Sequence, residues 1–239
     1  MLLNFLYSDK LGISSSLMPP NFVAKVSSRC LPFWTSGWAY VYILYLSAPP
    51  GVSLTCKSAW LKLYQLGKIR EYLTTEQTKS AVHAYVTSKI DQNNSLLFGI
   101  PDNQIKRIQK VQNAAAKLIC KKRKYDHVTP LLENLHWLPV KERITFKVLL
   151  LTFKSLRGEA PSYLSDLVKL HSSTHSLRSL LDPLTLNIPR SYFPTLGDRA
   201  FSVGAPRLWN TLPLEIREST TTASFKRQLK TYLFRNVYE

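Results

Sequence analysis

Phosphoryl or nucleotidyl transfer by the two-metal route needs carboxylates close enough to hold two divalent cations. The seven aspartates of this chain are Asp9, Asp91, Asp102, Asp126, Asp166, Asp182 and Asp198. No two are adjacent, and none sits in an apolar strand-turn-strand setting. There is no glycine loop to cradle a phosphate and no Gly-x-Ser-x-Gly elbow. His171 and His175 stand four apart, but the Ser-Ser-Thr between them reads as loop. Cys120, His127 and His136 offer three zinc-compatible ligands at a spacing that matches no compact knuckle. His136-Trp137 reads better as a packed pair at a helix end. The expectation is no catalytic residue, no metal and no cofactor.

One constellation does carry chemistry. Between 103 and 125 stand Lys106, Arg107, Lys110, Lys117, Lys121, Lys122, Arg123 and Lys124, with no acidic residue among them. Lys106, Lys110, Asn113, Lys117 and Lys121 recur at intervals of four, three, four and four, a helical stripe. Ile105, Ile108, Val111, Ala115, Leu118 and Ile119 form the apolar face of the same helix. A charged stripe is often only a solvated face, but such faces usually mix signs to gain i,i+4 pairs. A single-sign stripe running into Lys-Lys-Arg-Lys points to a phosphate backbone. All eight basic residues are therefore candidate contacts to RNA or DNA.

The elements that would position this stripe follow from patterning. The chain has 239 residues, is 45% hydrophobic and carries a net charge of +17. It has enough apolar material for a core and a charge that favours a polyanionic partner. Its three cysteines, Cys30, Cys56 and Cys120, form no disulfide framework, which suits a reducing compartment, nuclear or cytoplasmic. Residues 1–55 stand apart, with no charged side chain between Cys30 and Cys56. Residues 31–48, LPFWTSGWAYVYILYLSA, are long enough to raise a membrane span. Pro32, Gly37 and many Tyr and Trp argue against one, and a poorly specified apolar leader is expected instead.

From residue 56 the pattern turns helical. Leu61, Leu63, Leu66, Ile69 and Leu73 mark one face, and Thr74-x-x-Gln77 has the form of a capping box opening a second helix. Pro130, Pro139 and Pro161 suit first-turn positions. The run ERITFKVLLLTFKSL should be core. LTLNIP and RAFSV, in a stretch rich in proline, suggest short strands. The last helix should run from Ala223 to Val237 with Phe225, Leu229 and Leu233 inward. The expected fold is mainly α: a helical bundle at 56–120, then a helical and irregular region at 121–239 with a few short strands.

Three stretches carry a resemblance: 56–101, 105–167 and 197–234. Within them are Val-Gln-Asn-Ala-Ala, His-Trp-Leu-Pro and Ala-Pro-Arg-Leu-Trp-Asn-x-Leu-Pro. Together they resemble the C-terminal part of non-LTR (LINE-like) retrotransposon reverse transcriptases, of the jockey and chicken-repeat kind. The resemblance implies a thumb at about 56–120, a helical bundle that holds a template–primer duplex by its backbone, and a post-thumb segment. It also implies that the polymerase palm with its paired aspartates lies upstream of the matched stretch, where this chain has its unrelated first 55 residues. The endonuclease domain is missing too. Asp91 falls at an acidic position of the family that is not a metal ligand. Gln92-Asn93 stands where the family often has an aromatic-Cys pair, a departure from the pattern.

The first expectation is thus a nucleic-acid-binding remnant of an RNA-directed DNA polymerase, inactive by itself. The rivals are a membrane-associated basic protein anchored by 31–48 and a translated fragment without function. Oligomeric state is left open.

Overall fold

The computed structural model describes residues 49–92, 94–171, 184–191 and 197–239. Residues 1–48, and with them the apolar stretch 31–48, lie outside the described residues, as does His175. Two prolines open α1 (Pro49–Ile69), the place where a fixed φ and a missing N–H cost a helix nothing. Its buried positions are Val52, Cys56, Ala59, Leu63 and Leu66, at intervals of four, three, four and three. The helix therefore begins inside the stretch that composition sets apart, and the boundary at residue 55 is not a structural one. Leu61 and Ile69, expected on the inner face, are exposed. The true seam runs through Cys56 and Ala59, small side chains that let a neighbouring helix approach.

Thr74 caps α2 (Thr75–Val82) with the expected reciprocal box. The Thr74 hydroxyl accepts from the Gln77 amide at 3.3 Å, and the Gln77 carboxamide accepts from the Thr74 amide at 2.9 Å. The helix widens into a π turn at His83–Thr87 and runs on as α3 (Ser88–Asp91). Thr78, Val82, Val86 and Ile90 are buried at a constant interval of four. The wide turn offsets the drift that this interval would accumulate on a 3.6-residue helix.

After a turn at Gly99, whose φ is +70°, come α4 (Asp102–Ile119), α5 (Thr129–Asn134) and α6 (Val140–Leu156). A first core joins α1 through α4 to Leu131, Leu132, Trp137, Val140 and Ile144. The bundle thus does not stop at residue 120, but continues into the start of α6. The second half of α6 enters another core with Leu149, Leu150 and Phe153.

After α7 (Ser162–Ser165), which buries no side chain, that second core takes in Val168 and Leu186 and is built on α8 (Phe201–Asn210), α9 (Leu214–Arg217) and α10 (Thr222–Tyr238). Its centre is three rings. Phe153 and Phe225 stack at 4.2 Å between centroids, and Trp209 lies 6.4 Å from the first and 5.9 Å from the second. The Trp209 indole N–H donates to the Leu184 carbonyl at 2.8 Å, which satisfies its one polar atom. Phe225, Leu229 and Leu233 face inward as expected. Tyr238 then reaches back to the first core and donates to the Trp137 carbonyl at 2.8 Å.

The expected strands do not form among the described residues. RAFSV runs from a 3-10 turn into α8, a helix whose Gly204 and Pro206 disguise it in the sequence. In LTLNIP only Leu186 bridges, to Leu170. Its backbone is completed by a side chain: the Asn210 carboxamide accepts from the Leu186 N–H at 2.9 Å and donates to its carbonyl at 3.0 Å.

Two stability measurements follow from this packing. Trp209→Ala should lower stability by about 3–5 kcal/mol, because it empties the ring cluster and removes the indole hydrogen bond to Leu184; an unchanged melt would refute this. Gly204→Ala separates two effects. A Cβ at Gly204 would sit 2.2 Å from Cε1 of Phe98, which precedes α4 and packs against α8 here, so that ring must move. Overpacking of about 1–3 kcal/mol should outweigh the helix-propensity gain of about 1 kcal/mol. A raised melting temperature would show that the Phe98 contact is dispensable.

Candidate nucleic-acid interface

The apolar face of α4 turns inward through Ile108, Val111, Ala115, Ala116 and Ile119. The face left outside carries Lys106, Arg107 and Lys110, all exposed; Lys117 is half-buried, and Lys121 to Lys124 are exposed in the following loop. The structure therefore keeps all eight candidate residues on one helix and its exit loop. None of them is in an ion pair with a carboxylate among the described residues, where the pairs are Arg143–Asp91, Arg207–Asp198 and Arg235–Glu239. Arg107 spends its donors on neutral oxygens, Gln104 Oε1 at 3.1 Å and Ser53 Oγ at 3.2 Å. Its charge is undiminished and it ties α4 to the start of α1.

The stripe is not continuous. Asn113, expected within it, is half-buried and accepts from Gln109 Nε2 at 2.7 Å. Gln109 and Gln112 form a polar clamp on α6. Gln109 Oε1 accepts from the Val140 N–H at 2.8 Å, Gln112 Nε2 donates to the Leu138 carbonyl at 2.9 Å, and the two carboxamides meet at 3.0 Å. The Val-Gln-Asn string thus holds helices together rather than facing solvent. The apolar spacing places Gln112 among the buried positions, so a core polar contact was legible there, although its partner was not.

Arg70 carries no signal in the sequence. It is buried, and its guanidinium donates to the carbonyls of Leu118 at 3.0 Å, Ile119 at 2.9 Å and Leu73 at 2.8 Å. A cation at the negative end of α4 satisfies carbonyls that have no partner within the helix. It also sets the end of α1 beside the end of α4. Since Ser53 meets Arg107 at the other end, the two helices run parallel.

Past Ile119 the chain closes a Schellman motif. Lys121 takes a left-handed φ of +51°, and the Lys122 N–H donates to the Lys117 carbonyl at 3.0 Å. The Lys117 ammonium donates to the Lys124 carbonyl, and Asp126 accepts from the Arg123 N–H at 2.7 Å. The four basic side chains therefore project from a backbone held by its own turn, not from a loose tail. The same motif ends α5 with His136 at a φ of +52° and α6 with Gly158 at +70°. Trp137, beside His136, is buried and meets the His83 ring edge-on at 5.3 Å, while the exposed His136 ring lies 5.8 Å from Phe234, so the two stand at a helix end but take different partners and do not pack as a pair.

Other candidate chemistry is not assembled. Among the described residues no group of three or more His, Cys, Asp or Glu is placed to hold a metal. Asp91 instead takes the Arg143 guanidinium in a two-point ion pair that links α3 to α6. Burial in the first core pushes the Cys56 thiol up, against a smaller lowering by Arg107. Among the described residues no helix is long and apolar enough to cross a membrane.

Comparisons with protein-family models, with curated proteins and with solved structures found no match. Function rests here on the chemistry of the site itself. The site generates one stability test. A non-glycine residue in the left-handed region costs about 1 kcal/mol. Lys121→Gly should therefore be about 1 kcal/mol more stable than Lys121→Ala, two variants that lose the same charge. Equal melting temperatures for the two would show that the turn does not impose its backbone on residue 121.

Proposed function

We propose that the chain binds RNA or DNA through the sugar–phosphate backbone, as the thumb-like and post-thumb remnant of a non-LTR retrotransposon reverse transcriptase, with no polymerase chemistry of its own. The observation that carries this proposal is the outer face of α4 and its exit loop. Eight basic side chains there have no carboxylate partner among the described residues, and no acid occurs from 103 to 125. An isolated protein leaves such a face unneutralised; a phosphate chain neutralises it and releases counterions. The helical bundle that presents the face is consistent with a thumb. The expected partner is a duplex or hybrid gripped without regard to base sequence, since backbone contacts carry no base information.

The test is the salt dependence of binding. Lys121, Lys122, Arg123 and Lys124 replaced together by Gln keep length and polarity and leave the apolar face of α4 intact. Fluorescence anisotropy with duplex and hybrid oligonucleotides, at several salt concentrations, should show weaker binding to every sequence alike. The slope of log affinity against log salt should shrink by about 0.7–0.9 for each phosphate that the variant no longer neutralises. A loss confined to one base sequence would mean base readout. No loss would mean that the run is only a solvated or nuclear-targeting cluster. Stronger binding of the wild type to anionic vesicles than to nucleic acid would favour a membrane surface instead.

A further inference from the structure

Helix α1 has an outward side that the core does not use. Trp60 is 45% exposed and Tyr64 64%, and just beyond the helix Tyr72 is 86% exposed. Lys57, Trp60, Tyr64 and Lys68 follow one another at intervals of three, four and four, so they share one stripe. The Lys68 ammonium sits 4.8 Å from the centre of the Tyr64 ring. The helix carries three lysines and no acid. Flat rings flanked by cations, on a helix without an acid and with Glu71 only at the far end beside Tyr72, have the composition of a surface that stacks bases and pairs phosphates. Arg107 bonded to Ser53 joins this helix to the basic face of α4, and Arg70 joins their other ends.

We infer that the α1 stripe of Trp60 and Tyr64, with Tyr72 beyond it, is a stacking platform for unpaired nucleotides, so that the chain takes single-stranded nucleic acid beside the phosphate-binding face of α4. This rests on the backbone-binding function proposed above and adds an unpaired strand on α1 to the duplex or hybrid that α4 takes. A duplex has no base face free to lie on these rings, whereas an unpaired strand does. The rings are sequence-tolerant, because every base has a π face. Leu54 and Leu61 are also exposed on α1, and an apolar protein partner would use them as well as the rings. Lys57 and Lys68, which flank Trp60 and Tyr64 on a helix that has no acid of its own, favour the polyanion.

The test uses the full chain with Tyr64→Ala and Tyr72→Ala combined, at two positions exposed enough to leave folding intact, and a matched double Phe variant. Binding to a labelled uridine oligomer and to a blunt RNA duplex is followed by anisotropy across salt concentrations. The Ala variant should lose about tenfold or more in affinity for the oligomer, the Phe variant little. The salt slope and the duplex affinity should stay as in the wild type, because no phosphate-binding group is removed. Unchanged oligomer binding in the Ala variant, while the Gln variant of 121–124 still weakens, would overturn the platform and leave the backbone function standing. Failure of the wild type to bind either nucleic acid would overturn both. A wild-type dimer that the Ala variant dissolves, seen by sedimentation, would overturn the platform in favour of a protein interface.

Discussion

The structure depends on one helix that two cores share. At its start α6 gives Val140 and Ile144 to the first core; further on it gives Leu149, Leu150 and Phe153 to the second. Its position is then set by polar contacts at one end and rings at the other. Gln109 and Gln112 hold the backbone at Leu138 and Val140, Asp91 holds Arg143, and Trp209 and Phe225 enclose Phe153. Each buried polar contact is worth only about 1 kcal/mol when made, yet leaving one half unmade costs about 1–3 kcal/mol. The glutamine clamp therefore acts mainly by excluding other registers of α4 on α6.

Fixing α4 in this way decides what remains for solvent. One side of the helix faces α1 and the first core, another carries the clamp, and only the stripe with Lys106, Arg107 and Lys110 is left outside. Arg70 ends the helix from within, so the carbonyls of Leu118 and Ile119 need no help from the loop beyond. That loop is held by its own turn and the Asp126 carboxylate, which leaves its basic side chains for solvent. The long aliphatic stems of such residues can lie along the protein while their charged ends stay in water.

The basic face from 103 to 125 contains no acid of its own. Several of the few acids are already engaged: Asp91 with Arg143, Asp198 with Arg207, Asp126 in the turn, and Glu159 accepting from the Thr222 hydroxyl. Asp91 and Asp198 neutralise arginines outside the basic face, whereas Asp126 and Glu159 keep their charge; the eight cations of the face outweigh the one carboxylate beside its loop, and such a field raises the local concentration and the encounter rate of a polyanion.

Local patterns by themselves determined much of this protein. The Thr74–Gln77 capping box, the apolar period of α4, the apolar run of α6 and the Phe225, Leu229, Leu233 face of α10 all depend on neighbours three or four residues apart, which a sequence displays directly. The single-sign charge from 103 to 125 is legible for the same reason. The tertiary structure alone decided where partners distant in sequence meet. The inner face of α1 runs through Cys56 and Ala59 because a neighbouring helix must approach closely, so the conspicuous Leu61 is left outside. RAFSV runs into a helix whose Gly204 admits the Phe98 ring, a contact between residues about a hundred positions apart. Arg70 is buried because the carbonyls at the end of α4 wait for it, and Gln112 and Gln109 turn inward because the backbone at Leu138 and Val140 meets them. Hydrogen-bond satisfaction and close packing act between whichever groups the fold brings together, and no spacing along the chain records them.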